Sequence, residues 1–130
     1  MQMEVAEEIM TPELEIKVLD NGVHIYRLSS WSMDGLEQWE SSLLQRFEKH
    51  QGKLLSVYDM RGMDTITRDG FDVANRLETN INSDIAYSVA IINNRRVAIL
   101  VNTLIQMRRS RDRSRIFTDL DEGIAWLLSR

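Results

Sequence analysis

The sequence predicts a single α/β domain with a mixed, mostly parallel β-sheet and about four helices. Three observations support this fold class. The 130 residues suit one hydrophobic core, one proline and six glycines leave no long linker, and apolar residues recur first at strand spacing and then at helix spacing. The composition, 43% hydrophobic and 28% charged, is that of a globular protein. We expect one domain over residues 1–130, with residues 1–12 flexible.

The fold is predicted to begin with an antiparallel β-hairpin. Leu14, Ile16 and Val18 alternate with charged residues, which is the period-two pattern of a half-buried strand. An Asp-Asn-Gly turn then leads into a second strand over residues 23–28.

Strands and helices alternate in the rest of the chain. The predicted helices have apolar residues on one stripe, and three of them cover residues 34–50, 95–109 and 119–129. The second helix in chain order follows a loop over residues 59–69 and has its apolar positions at Phe71, Ala74, Leu77 and Ile81. Either Thr67 or Asp69 suits the N-cap of the second helix. The intervening strands cover residues 54–58, 86–92 and 115–117, and the order is ββαβαβαβα. An alternative to the third helix is a strand over residues 97–101, where β-branched residues are dense, but we favour the helix.

Composition also limits the cellular setting and the partners. The chain has no cysteine, which excludes disulfides, thiolate metal sites and cysteine nucleophiles and is compatible with a reducing compartment. Residues 1–13 carry four glutamates and no base, unlike a secretory signal, and no run approaches the ~20 apolar residues of a membrane span. We expect a cytoplasmic protein. Its net charge of -4 argues against nucleic acid as a partner.

Catalytic motifs are not evident. No glycine-rich phosphate loop, Ser-His-Asp order or paired carboxylates can be assembled, and His24 and His50 lack a second ligand at metal spacing. Asp59, Asp64 and Asp69 could gather around a cation after a buried strand, but we interpret them as turn and cap residues. We expect no catalytic residue, cofactor or metal, and keep a hydrolase as a third alternative.

Basic residues concentrate near the C-terminus. Residues 1–50 hold ten acids and four bases, whereas residues 85–130 hold four acids and eight bases. Five arginines, Arg108, Arg109, Arg111, Arg113 and Arg115, surround the single acid Asp112. This segment could contact phosphates or an acidic protein. The alternative is a solvated connector that complements the dipole of the preceding helix.

Two segments resemble the STAS superfamily. The run 55–70, Leu-Ser-Val-Tyr-Asp-Met-Arg-Gly-Met-Asp-Thr-Ile-Thr-Arg-Asp-Gly, is similar to a STAS strand that ends in Asp, with a loop leading to Asp-Ser-Ser-Gly at the start of a helix. Residues 115–128 resemble the end of SpoIIAA-like proteins, where a strand with Phe-x-Asp precedes a helix with Ala-Trp-Leu. With the element order, the resemblance covers residues 14–129.

The resemblance implies a SpoIIAA-like (STAS) fold. It also implies a role like that of anti-sigma-factor antagonists, which act by protein contact and are switched by phosphorylation of a loop serine. Thr67, Arg68, Asp69 and Gly70 stand where the family has Asp, Ser, Ser and Gly, so the phosphoacceptor serine is absent. By this resemblance Asp69 is expected to be a fixed anion and helix cap.

We therefore expect a noncatalytic STAS-like regulatory or protein-interaction domain, and a homodimer remains open. Trp31, in the loop before the first helix, suits a contact better than Trp39 or Trp126, which fall at or beside inward stripes. The expected partner-binding residues are Arg61, Asp64, Thr67, Arg68, Asp69, Trp31, Arg109, Arg111 and Arg113. The alternative function is binding of a small hydrophobic or lipid ligand, because the fold is similar to Sec14-type domains.

Overall fold

The structure, a computed structural model, describes residues 4–50, 52–81 and 84–130. Its six strands are β1 (Val5–Met10), β2 (Leu14–Leu19), β3 (His24–Leu28), β4 (Leu54–Asp59), β5 (Ala86–Ile91) and β6 (Ser114–Phe117). The helices are α1 (Met33–Lys49), α2 (Arg68–Asn80), α3 (Arg95–Gln106) and α4 (Leu120–Leu128), and a short 3-10 turn covers Arg111–Arg113. Within the described ranges, no helix is both long and apolar enough to cross a membrane.

The strands form one mixed sheet in the order β1-β2-β3-β4-β5-β6. The first two pairings are antiparallel, and the pairings from β3 to β6 are parallel. The predicted α/β class, the mostly parallel sheet and the four helices are thereby confirmed.

The first strand, β1, was not predicted. It pairs with β2 inside the segment expected to be flexible, so the order is βββαβαβαβα. Every residue of β1 is exposed. The strand therefore lacks the alternation of buried apolar and exposed polar residues by which a strand is predicted from sequence. Backbone pairing with β2 makes this segment a strand, and the register shifts once between Val5 and Glu7.

The third helix is confirmed, and the alternative strand over residues 97–101 is wrong. The Asn94 side chain caps α3 by accepting hydrogen bonds from the backbone N–H groups of Arg96 and Val97. Val97, Val101 and Ile105 are buried on one side of the helix. The helix ends at Gln106, three residues earlier than predicted.

The helices cover the two faces of the sheet unequally. Tyr26 of β3 packs with side chains of α1 and α2, and Ala90 of β5 packs with α3. On the opposite face, Val57, Val89 and Ile91 pack only against α4 among the described helices. Trp39 is buried and Trp126 is partly buried. The face that α1, α2 and α3 cover contains a cavity.

Candidate functional site

The 60–70 segment lies at the edge where the parallel strands end. Because β3, β4 and β5 run in the same direction, the loops that follow them meet at their carboxyl ends. These loops carry Trp31, residues 60–67 and Asn93. In open α/β sheets this edge is the usual place for a binding site.

A buried carboxylate anchors the start of the segment. Asp59 is 7% exposed and accepts hydrogen bonds from Arg61 Nε at 2.9 Å and Arg61 Nη2 at 2.8 Å. Arg27 Nη1 lies 3.0 Å from the same carboxylate. Burial opposes ionisation of Asp59, but the hydrogen bonds from Arg61 and the charges of Arg61 and Arg27 outweigh it, so its pKa lies below the ordinary value.

Two neighbouring loops hold the middle of the segment. The Gly62 N–H donates to Asn93 Oδ1 at 3.2 Å, and Trp31 Nε1 donates to the Thr65 carbonyl at 2.9 Å. Trp31 also lies against Gly70, where an added Cβ would come within 2.8 Å of the Trp31 ring. Only glycine allows this approach. Contacts with the neighbouring loops therefore fix the position of the 60–70 segment, while part of its surface faces solvent.

Thr67, and not Asp69, caps α2. Thr67 Oγ1 accepts a hydrogen bond from the Gly70 N–H at 3.1 Å. Asp69 is already the second residue of the helix and is exposed, so the expectation that it caps the helix is wrong. The physical reason is geometric, because a capping side chain must precede the helix to reach the third N–H. Asp69 still places a negative charge in the first turn, where the helix dipole favours it.

This assignment predicts different stability losses at the two positions. Thr67→Ala removes the cap and is expected to lower the free energy of unfolding by about 1 kcal/mol. Asp69→Ala loses a few tenths of a kcal/mol of dipole interaction but gains a similar amount of helix propensity, so we expect almost no change. Urea unfolding of both variants measures this difference. A larger loss of stability in Asp69→Ala than in Thr67→Ala would contradict the assignment of Thr67 as the cap of α2.

The structure separates the predicted partner-binding residues into two surfaces. Asp64, Arg68 and Asp69 are exposed around the 60–70 segment, and Arg61, Thr67 and Trp31 there are half-buried. Arg109, Arg111 and Arg113 instead precede β6, at the amino ends of the parallel strands and so at the opposite end from the 60–70 segment. The exposed ones are Arg109 and Arg111, while Arg113 Nη2 lies 3.2 Å from Asp84 Oδ1.

The acids and histidines do not form a metal site among the described residues. The Asp59 carboxylate is engaged by two arginines, and Asp64 and Asp69 face solvent. Burial, together with the charge of Arg46, lowers the pKa of His24 to about 4, so this histidine is neutral at pH 7. Its Nδ1 lies 3.2 Å from the Gly22 carbonyl oxygen, which fits a structural role.

A cavity of about 140 Å³ lies between the sheet and helices α1, α2 and α3. The inner side of the 60–70 segment forms part of its wall. Apolar lining is provided by Trp31, Met60, Met63, Ile66, Val101 and Ile105. The segment proposed from sequence as a contact surface thus has a second, inward side.

Polar groups also line this cavity. Ser56, Ser88 and Ser114 are aligned across β4, β5 and β6 in the parallel register. Ser88 and Ser114 lie within hydrogen-bond distance at 3.0 Å, and Ser56 accepts a hydrogen bond from Arg46. Sequence reasoning missed these serines. The available signal was a hydroxyl inside two otherwise apolar strands.

Arg115 also lines the cavity, but its guanidinium lies over the rings of Phe117 and Trp126. Arg108 is the second basic residue that lines the cavity together with the serines. Its Nε is buried and has no hydrogen-bond partner within the described part of the chain. The sequence grouped Arg108 with its exposed neighbours, but the structure separates them. Glu78 lines the same cavity, and its carboxylate oxygens accept from Ser110 Oγ at 2.7 and 2.8 Å.

No model of a protein family matches the chain, and no curated protein is significantly similar to it. Membership of the STAS superfamily therefore stays a prediction, based on residues 55–70 and 115–128 and on the element order.

Proposed function

We propose that the chain is a noncatalytic STAS-like regulatory or protein-interaction domain in the cytoplasm, whose 60–70 segment and the start of α2 contact a protein partner. One observation carries the proposal. The segment exposes Asp64, Arg68 and Asp69, while hydrogen bonds with the side chains of Asp59, Asn93 and Trp31 hold its backbone. A surface that is ordered before binding loses less conformational entropy when a partner docks.

The charge at Asp69 supports a constitutive role. A phosphoserine carries a charge of about -1.5 to -2, whereas an aspartate carries -1. Asp69 therefore imitates the phosphorylated state of a STAS serine only in part, and no kinase is needed to maintain its charge. Asp69 should therefore contribute a permanent negative charge to the contact with a partner.

The test is partner affinity in variants of the segment. A partner captured from the host is titrated against wild type, Asp69→Ser and Asp69→Ala. Removing a charge from the contact surface is expected to weaken binding about tenfold, equivalent to ~1.4 kcal/mol. Asp121→Ala is the matched control, because Asp121 is the second residue of α4, is exposed and lies on a helix that covers the other face. Equal affinities for all four proteins would refute the proposed surface.

The same titration measures the role of the arginines. With Arg109, Arg111 and Arg113 neutralised, the salt dependence of partner affinity should become flatter, because these arginines belong to a basic cluster in an otherwise acidic protein. An unchanged salt dependence would restrict the interface to the 60–70 segment.

A second candidate function is the binding of a small hydrophobic ligand or a lipid, and the cavity favours it. An apolar cavity of about 150 Å³ is large enough for benzene, so the volume here suits a small compound better than a long acyl chain. Native mass spectrometry of the protein from its own host tests this function, because a bound compound adds a defined mass.

A further inference from the structure

The cavity contains a positive charge for which the described residues provide no direct partner. None of the hydrogen bonds or ion pairs in ranges 4–50, 52–81 and 84–130 involves the Arg108 side chain, and its Nε is buried. A buried donor without an acceptor costs free energy, and the cost is larger when the donor is charged. Such a group on a cavity wall indicates that an acceptor belongs in the cavity.

Arg46, a second arginine on this face of the sheet, also has a buried Nε without a partner among the described residues, but its two other guanidinium nitrogens are bonded. Its Nη1 and Nη2 donate to Tyr26 Oη at 3.2 Å, Ser56 Oγ at 2.9 Å, Gly22 O at 3.3 Å and Leu55 O at 2.7 Å. The protein therefore supplies acceptors to one inward arginine and not to the other. Arg46 has a structural role, whereas Arg108 is left available.

Glu78 does not take the place of the missing partner. Its two carboxylate oxygens accept from the buried Ser110 hydroxyl, and no ion pair joins it to Arg108 within 4.0 Å. Burial lowers the pKa of Arg108, and the charge of Glu78 offsets this effect only in part. The Glu78 carboxylate therefore acts on Arg108 through space, without a direct bond to its guanidinium.

We propose that the cavity binds a small apolar carboxylic acid, with its carboxylate on Arg108 and its hydrocarbon part among the apolar wall residues. The proposal rests on the second candidate function and adds the chemical class of the ligand. A guanidinium presents parallel N–H donors that match the two oxygens of a carboxylate. The hydrocarbon part would pack against the apolar wall residues that neighbour Glu78 and Arg108 along α2 and α3, namely Leu77, Leu104 and Ile105.

The volume limits the size of the acid. Since about 150 Å³ accommodates a benzene ring, a cavity of about 140 Å³ suits one ring or a short branched chain. Benzoate is therefore the probe, and benzamide is the neutral compound of matched shape. Trp31 and Trp39 line the cavity, so intrinsic tryptophan fluorescence reports binding, and calorimetry gives the stoichiometry.

The experiment titrates both compounds at pH 7 into the full chain and into three variants. We expect benzoate to bind one-to-one and about 10- to 100-fold more tightly than benzamide, the range expected for a charge-assisted hydrogen bond. Arg108→Met should remove this difference, and Arg108→Lys, which keeps the charge but not the paired donors, should reduce it. Arg109→Met is the control, because Arg109 is exposed and should have no effect.

The possible outcomes separate the proposal from the function on which it rests. Equal affinity for benzoate and benzamide, unchanged in Arg108→Met, would leave a ligand-binding cavity but overturn the carboxylate assignment. Failure of both compounds to bind would overturn the assignment and count against the second candidate function. An equal loss in Arg109→Met would place benzoate on the surface and also overturn it. If Arg108→Met does not fold, the benzamide comparison and Arg108→Lys decide.

Discussion

Ile124→Asp is expected to lower the free energy of unfolding by about 4 kcal/mol, a large fraction of the total stability of a domain of this size. Ile124 is 2% exposed and packs with Leu127 of α4 and with Val57 and Val89 of the sheet. An aspartate there would bury a charge without a partner and lose the apolar contacts that hold α4 on its face. Urea unfolding followed by circular dichroism measures the loss.

The control for this prediction lies on the same helix. Leu128 is 40% exposed, so Leu128→Asp places the same charge in solvent and should cost less than about 1 kcal/mol. Comparable losses in the two variants would mean that α4 is sensitive to charge along its whole length. Equal urea unfolding midpoints for Ile124→Asp and wild type would contradict the packing of α4 against the sheet.

Asp59→Asn is expected to lower the free energy of unfolding by about 2 kcal/mol at pH 7, because it removes charge-assisted hydrogen bonds to a buried carboxylate. Arg27 and Arg61 are 46% and 39% exposed in their side chains, and solvent screening keeps the loss below that of a fully buried pair. The neutral amide leaves both guanidinium groups without the anion that positions the start of the 60–70 segment.

The same variant has a defined pH dependence. The pKa of Asp59 is lowered in the folded protein, so the ionised carboxylate stabilises the fold at every pH above its unfolded pKa of about 3.9. That contribution is lost as the pH falls through the lower, folded value. The difference between wild type and Asp59→Asn should therefore be constant from about pH 5 to 8 and shrink below about pH 4.

Denaturant unfolding between pH 2 and 8 measures this dependence. Asp64→Asn is the control, because Asp64 is exposed in the same segment and should give no comparable difference at any pH. A gap between wild type and Asp59→Asn that widens on acidification would contradict the pairing with Arg61 and Arg27.

Helices were well determined by the sequence alone. The first was predicted over residues 34–50 and is found at Met33–Lys49, and the last was predicted over 119–129 and is found at Leu120–Leu128. Apolar periodicity is a local property that fixes which side of a helix is buried, so it can be read without knowing the neighbours. The residues around Arg61 and Asp69 that we propose as partner-binding also lie in one continuous segment of the sequence.

The remaining features depended on residues far apart in the chain. The strand β1 exists through pairing with β2, and the serine row requires the register of β4, β5 and β6. Arg108 and Arg109 are adjacent and chemically identical, yet Arg108 lines the cavity and Arg109 faces solvent. Composition and spacing describe both arginines alike. Only the packing of α2 and α3 over the sheet determines which of them enters the cavity, because burial depends on tertiary neighbours.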